Sequence, residues 1–149
     1  MSEPNYPLTI FYDASCPLCA SELHALRDHD ERRSLVLVDC SAEEFADAST
    51  KAAGISRADL MQCIHARDAT GRWYRGVDVL ALAYRTAGIE SIARLWAHPR
   101  LRPLWSRVYP WIARHRMTLS RLRLHGLFGW LIRRAARRAG PKNARHSAS

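Results

Sequence analysis

Residues 91–149 of this 149-residue chain contain no aspartate or glutamate. Fourteen Lys and Arg stand there unopposed, net +14, whereas residues 1–90 hold all fourteen acids against nine basic residues, net −5. A uniform charge distribution is excluded, and the pattern reads as a near-neutral body followed by a basic module suited to phosphate, an anionic membrane surface or an acidic partner. Long apolar runs are missing too: Leu127-Phe128-Gly129-Trp130-Leu131-Ile132 falls far short of the roughly 20 residues a spanning helix needs. The segment Met1-Ser2-Glu3-Pro4-Asn5-Tyr6-Pro7 lacks a positive n-region and an apolar h-region, so no secretory signal is expected and a cytoplasmic location is. Cysteine is sparse at four residues. In a reducing compartment these are expected to be redox-active, metal-bound or buried rather than a disulfide framework.

What is present suits one globular domain. The chain is 48% apolar and 25% charged, and at this length folding buries roughly 68–70% of the unfolded surface, enough for a core without disulfide staples.

Leu8 to Tyr12 is β-branched and aromatic and reads as a short buried strand. Asp13-Ala14-Ser15-Cys16-Pro17-Leu18-Cys19 then leads into a helix with Leu18, Leu23 and Leu26 on one side and Pro17 in the first turn, where proline is tolerated. Ser34 to Asp39 is a second strand, expected to lie parallel to the first. Ser41-Ala42-Glu43-Glu44 fits a capping box opening a helix from Ala42 to about Ala53, stopped by Gly54. Leu60 to Ala66 and Arg72 to Arg75 are expected to form a hairpin around Gly71, and Val77 to Ala87 an amphipathic helix closed by Gly88. The order β-α-β-α-β-β-α is that of the thioredoxin fold.

After Ile89 strand patterns stop. Pro99, Pro103 and Pro110 are expected to punctuate short helices rich in Trp, Leu and Arg, including Val108 to Arg123. A last amphipathic helix is expected from about His125 to Ala139, and residues 140–149 as a disordered tail. The segment around Trp130 supports two readings, an interfacial helix on an anionic membrane or a terminal helix docked on the body. Nucleic acid is disfavoured, because no helix-turn-helix, zinc finger or aromatic RNA-binding motif accompanies the charge.

Cys16-Pro17-Leu18-Cys19 is a C-x-x-C at a helix start directly after a strand, the context that marks a redox pair. The helix dipole and terminal amides favour a thiolate there, and the spacing brings the sulfurs within disulfide reach when the first faces solvent. Cys16 is then expected to attack and Cys19 to resolve the mixed disulfide; dithiols of this type span about −270 to −120 mV. Asp13 reads either as the N-cap of the helix or as a proton acceptor for a thiol. Cys40 and Cys63 are expected to be inert buried cysteines, the second inside the third strand, with an all-cysteine zinc site of Cys16, Cys19, Cys40 and Cys63 as the rival. His24, His29 and His65 read as solvated or core histidines, with His65 the one within reach of a substrate.

Tyr12-Asp13-Ala14-Ser15-Cys16-Pro17-Leu18-Cys19 resembles the D-x-x-C-x-x-C signature of the DCC family of predicted thiol-disulfide oxidoreductases. Gly76, the helix after the hairpin, and Tyr109-Pro110-Trp111-Ile112-Ala113-Arg114-His115-Arg116 are similar to further family features, so the resemblance spans roughly residues 8 to 123. It implies a thioredoxin-like fold and a working thiol pair. Ala14 stands where the family often has glycine, and no proline lies between Pro17 and Pro99. The cis-proline that faces the dithiol in typical thioredoxins thus has no counterpart, which favours a small thiol or a dedicated partner over a thioredoxin-type peptide substrate.

The expectation is therefore an α/β thioredoxin-like domain over residues 8–89 and a basic helical extension over 90–139. Its function is disulfide exchange through Cys16 and Cys19, with Asp13 in the site, a thiol or disulfide substrate, and neither metal nor organic cofactor. The alternative is a non-catalytic thioredoxin-like module that docks on an anionic membrane or acidic partner through its basic C-terminal helix.

Overall fold

The computed structural model describes residues 4–121 together with Trp130 and Arg134. The helix expected from His125 to Ala139 and the tail over 140–149 lie outside the described residues, apart from Trp130 and Arg134 themselves.

A four-stranded sheet carries the fold, in the order β2-β1-β3-β4. Strand β1 (Leu8–Tyr12) sits inside it, and the twofold alternation of a strand divides its side chains between two layers. Leu8, Ile10 and Tyr12 join one core cluster, whereas Phe11 joins another with Cys40 and Leu60. Strand β2 (Leu35–Asp39) pairs parallel with β1, as its sequence position after a helix requires. Strands β3 (His65–Arg67) and β4 (Trp73–Arg75) form the expected antiparallel hairpin, with β3 antiparallel to β1. Its turn is organised by the buried Asp68. One carboxylate oxygen accepts from the amides of Thr70 and Arg72, the other from the Tyr74 hydroxyl at 3.0 Å, while Gly71 supplies φ +87°.

Helix α1 (Pro17–His29) buries Leu18, Leu23 and Leu26. Leu23 and Leu26 pack in the first cluster against Val79, Leu82 and Ala83, which project from a helix over Val77–Thr86. That face closes the main core. On the opposite face the expected Ala42–Ala53 helix is not found. Two short helices stand in this region, α2 (Ala48–Ala52) and α3 (Arg57–Gln62). The reason is local: Ser41 donates its amide and hydroxyl to the Asp39 carboxylate at 2.7 and 2.6 Å, so its oxygen turns back to the strand instead of capping a helix. Asp47 caps α2, and a reciprocal Ser56–Asp59 capping box starts α3. Leu60 thus belongs to a helix rather than to the hairpin, and Cys63 is the C-cap of α3, not a strand residue.

Val77–Thr86 becomes α4, followed by α5 (Glu90–Ala97) and α6 (Arg102–Arg121). Helix α6 runs unbroken through Pro110, so the expected division into short helices fails there. Pro103 occupies the first turn, where it removes no intrahelical bond, and Pro110 forfeits only its own. Among the described residues no helix is long and apolar enough to cross a membrane.

Candidate active site

The C-x-x-C stands where β1 ends and α1 begins. Cys16 is the N-cap of α1, the position that one of the two readings of Asp13 gave to that residue, and its Sγ accepts the Cys19 amide proton at 3.4 Å. Pro17 follows at the first helical position, where its fixed φ suits the helix and its missing N–H is not needed. Exposure of the pair reverses the sequence expectation: Cys16 is 0% exposed, and Cys19 is the partly exposed residue.

Two carboxylates shape the turn that delivers Cys16. Asp13, 4% exposed, accepts from the Ser15 amide at 2.9 Å and from the Ser15 hydroxyl. Its short side chain therefore closes the D-x-x-C turn rather than capping α1. Asp39, at the end of β2, accepts from the Ala14 amide at 3.2 Å and from Ser41. Partial burial raises the Asp39 pKa, but the Ser41 hydroxyl and amide and the Ala14 amide outweigh it and hold the carboxyl below the usual range. Sequence reasoning missed Asp39. Its signal was the placement of an aspartate at the end of a strand parallel to β1, which brings it beside the loop after β1.

The other two cysteines differ from each other. Cys40 is fully buried, and its thiol is pushed up to about 12, by burial first and then by the Asp39 charge. Cys63 is only half-buried, a correction to the expected core position. Its S–H points to the Tyr109 hydroxyl of α6, 3.9 Å away, and to the Ile64 carbonyl at 3.6 Å. The Tyr109 oxygen also accepts the Ile64 amide proton at 3.3 Å. Burial first, and then the neighbouring Cys63 and Cys19, push the Tyr109 hydroxyl far above its ordinary range, so it stays protonated. Gly76 permits this packing: its φ is +61°, and a Cβ there would meet the Tyr109 ring at 3.4 Å and the Cys63 sulfur at 3.6 Å. Gly76 and Tyr109, far apart in sequence, thus meet at Cys63. A cavity of about 410 Å³ opens beside them, lined by Cys63, Gly76 and Tyr109 together with further residues of α5 and α6.

His65 is buried, as the core-histidine reading has it, and its Nδ1–H donates to the Cys63 carbonyl at 2.8 Å. His24 is exposed, with Nε2 2.9 Å from the Tyr12 hydroxyl, and His29 donates from Nδ1 to the Ala25 carbonyl at 2.8 Å. Among the described residues no three His, Cys, Asp or Glu side chains are grouped to hold a metal ion, so the four cysteines do not converge on a common centre.

A β-α-β unit with C-x-x-C at its helix start, completed by an antiparallel hairpin and a packing helix, defines a thioredoxin-like protein. Within that class the chain belongs to the DCC1-like thiol-disulfide oxidoreductase family, which it matches over residues 10–122. It is also similar to an uncharacterized chloroplastic protein of Arabidopsis thaliana, with 24% identity over 117 residues, or 78% of this chain. The match spans 54% of that relative's length. No solved structure matches the chain.

Proposed function

We propose that the chain is a thiol-disulfide oxidoreductase that exchanges disulfides through Cys16 and Cys19. The observation that carries this reading is the pair's position: one sulfur caps α1 and accepts the amide of the other cysteine, so the two lie together in a field that favours negative sulfur. Membership of an oxidoreductase family supports it.

The exposures support one assignment of roles. In this reading Cys19, the partly exposed member of the pair, meets the disulfide partner, and the buried Cys16 resolves the mixed disulfide. The Cys19 thiolate attacks one sulfur of R–S–S–R, forming Cys19–S–S–R and releasing a thiolate that takes up a proton. The Cys16 thiolate then attacks the Cys19 sulfur, closing the internal disulfide and releasing the second thiol. Two electrons pass from the dithiol to the substrate, and a small or protein thiol in excess drives the reverse. Asp13 holds the turn that presents the pair. The setting we propose is cytoplasmic, where such a dithiol can be returned to its reduced form.

Incubating each single serine variant with bis(2-hydroxyethyl) disulfide, followed by mass spectrometry, tests the assignment. Cys16→Ser is expected to accumulate a mixed disulfide on Cys19, whereas Cys19→Ser accumulates little. Wild type equilibrated in glutathione buffers is expected to show a reversible two-electron transition confined to this pair. A pair that never oxidises sinks the reading, and trapping on Cys16 in Cys19→Ser reverses the roles.

A further inference from the structure

The cavity beside Cys63 has a chemical bias that the dithiol alone does not explain. Its volume of about 410 Å³ lies within the range of small-molecule sites. Arg75, Arg102 and Arg114 stand on its lining against a single acid, Asp78, which Arg102 already meets at 3.3 Å. The remaining cationic charge is thus carried by Arg75 and Arg114, both exposed and in no ion pair among the described residues. Two tryptophans add apolar surface to the lining. Trp96 and Trp105 lie with ring centroids 4.6 Å apart, and the Trp105 indole N–H is already donated to the Leu95 carbonyl at 3.1 Å. What the tryptophans add to the cavity is therefore ring surface rather than a further hydrogen-bond donor.

The cavity also borders sulfur chemistry. Tyr109 lines it and its hydroxyl meets Cys63, and α6, which carries Tyr109, packs against α1, the helix that carries the dithiol. Guanidinium groups match carboxylates with paired donors, and aromatic walls accept an aliphatic or peptide-like body.

We propose that this cavity binds a small carboxylate-bearing thiol, or the disulfide made from it, with the carboxylates toward Arg75 and Arg114 and the sulfur at the Tyr109 end. The inference rests on the reading of Cys16 and Cys19 as a working dithiol, for which it supplies the substrate class. The short β4 edge and the cavity's volume of about 410 Å³ favour a molecule of this size over an extended polypeptide.

S-methylglutathione is the direct probe, because it keeps both carboxylates and cannot exchange disulfides. Titrated into the full chain, it is expected to change tryptophan emission saturably, with weaker binding at 0.5 M salt than at 0.05 M. The double variant Arg75→Ala/Arg114→Ala should weaken binding by roughly twofold to twenty-fivefold, since each exposed charge pair is worth a factor of about 1.4 to 5. The diethyl ester of the probe should bind at least as poorly as the free acid does to the variant. No saturable change, equal binding of the ester, or displacement by inorganic phosphate at equal concentration overturns the proposal. The Cys16→Ser/Cys19→Ser variant must still bind the probe, and wild type must still reduce the uncharged bis(2-hydroxyethyl) disulfide. Binding with no such reduction sinks the dithiol reading, whereas reduction with no binding sinks the cavity.

Discussion

Replacing Tyr109 by Phe removes one oxygen and leaves the ring. That oxygen is the acceptor for the Ile64 amide at 3.3 Å and for the Cys63 S–H at 3.9 Å, the first a real hydrogen bond and the second a weak one. Leaving a buried amide without its acceptor costs about 1–3 kcal/mol. Ile64 is only half-buried, so water recovers part of this, and the expected loss is about 1–2 kcal/mol. For a chain of this length that lowers Tm by roughly 2–8 °C. Urea unfolding of the reduced protein gives the value directly, as a lower midpoint at unchanged m. Cys63 provides a second readout, because loss of the hydroxyl should speed its alkylation in the native state. A stability change below about 0.5 kcal/mol, the range of ordinary surface substitutions, together with unchanged Cys63 alkylation, would refute the idea that this hydroxyl ties α6 to the residues before β3.

Gly76→Ala is expected to cost about 1–3 kcal/mol through backbone strain at φ +61° and ψ −125°, since the 3.4 Å approach to the Tyr109 ring is ordinary contact; a urea midpoint within error of wild type contradicts this. His65 is held below the usual imidazole range by burial, then by Arg75, with the Cys63 carbonyl and Asp59 acting in the opposite sense. Below about pH 6.5 the unfolded chain takes up a proton that folded His65 resists, so stability should fall from pH 7 to pH 5. His65→Gln should flatten that slope, and urea titrations at the two pH values measure the difference. Cys40, with its thiol pushed up to about 12 and no exposure, should stay unmodified by iodoacetamide at pH 8 while Cys19 reacts; mass spectrometry after brief labelling decides.

The strands, the parallel pairing of the first two, the start of α1 and the hairpin were legible because each rests on local rules: β-branched runs, Pro17 in a first turn, Gly71 at a positive φ. The region between β2 and β3 was not. Ser41 and Glu44 have the spacing of a capping box, but Asp39 competes for Ser41, and the choice between them depends on the turn after β2. The dithiol was legible as a motif, whereas its exposure was not, because burial of Cys16 depends on tertiary packing that no spacing encodes. Tyr109 and Gly76 could be noticed as similar to family features. Their meeting at Cys63 needed α6 laid beside the residues before β3, a contact 46 residues apart in sequence.

Most helices are capped by an oxygen that takes no part in covalent chemistry, but here the cap is one of the two sulfurs proposed to exchange disulfides. The free energy of starting α1 therefore differs between the dithiol and disulfide forms, and a thermodynamic cycle transfers that difference to the reduction potential. If the thiol form of Cys16 caps better by about 0.5–1 kcal/mol, at the low end of what caps contribute, the reduced protein is favoured and the potential rises by roughly 10–20 mV. On the proposed function, Asp13 in the preceding turn and Asp39 at the end of β2 gain a lever on electron transfer in this way. By setting how well one sulfur meets one amide, they would tune the direction in which electrons flow.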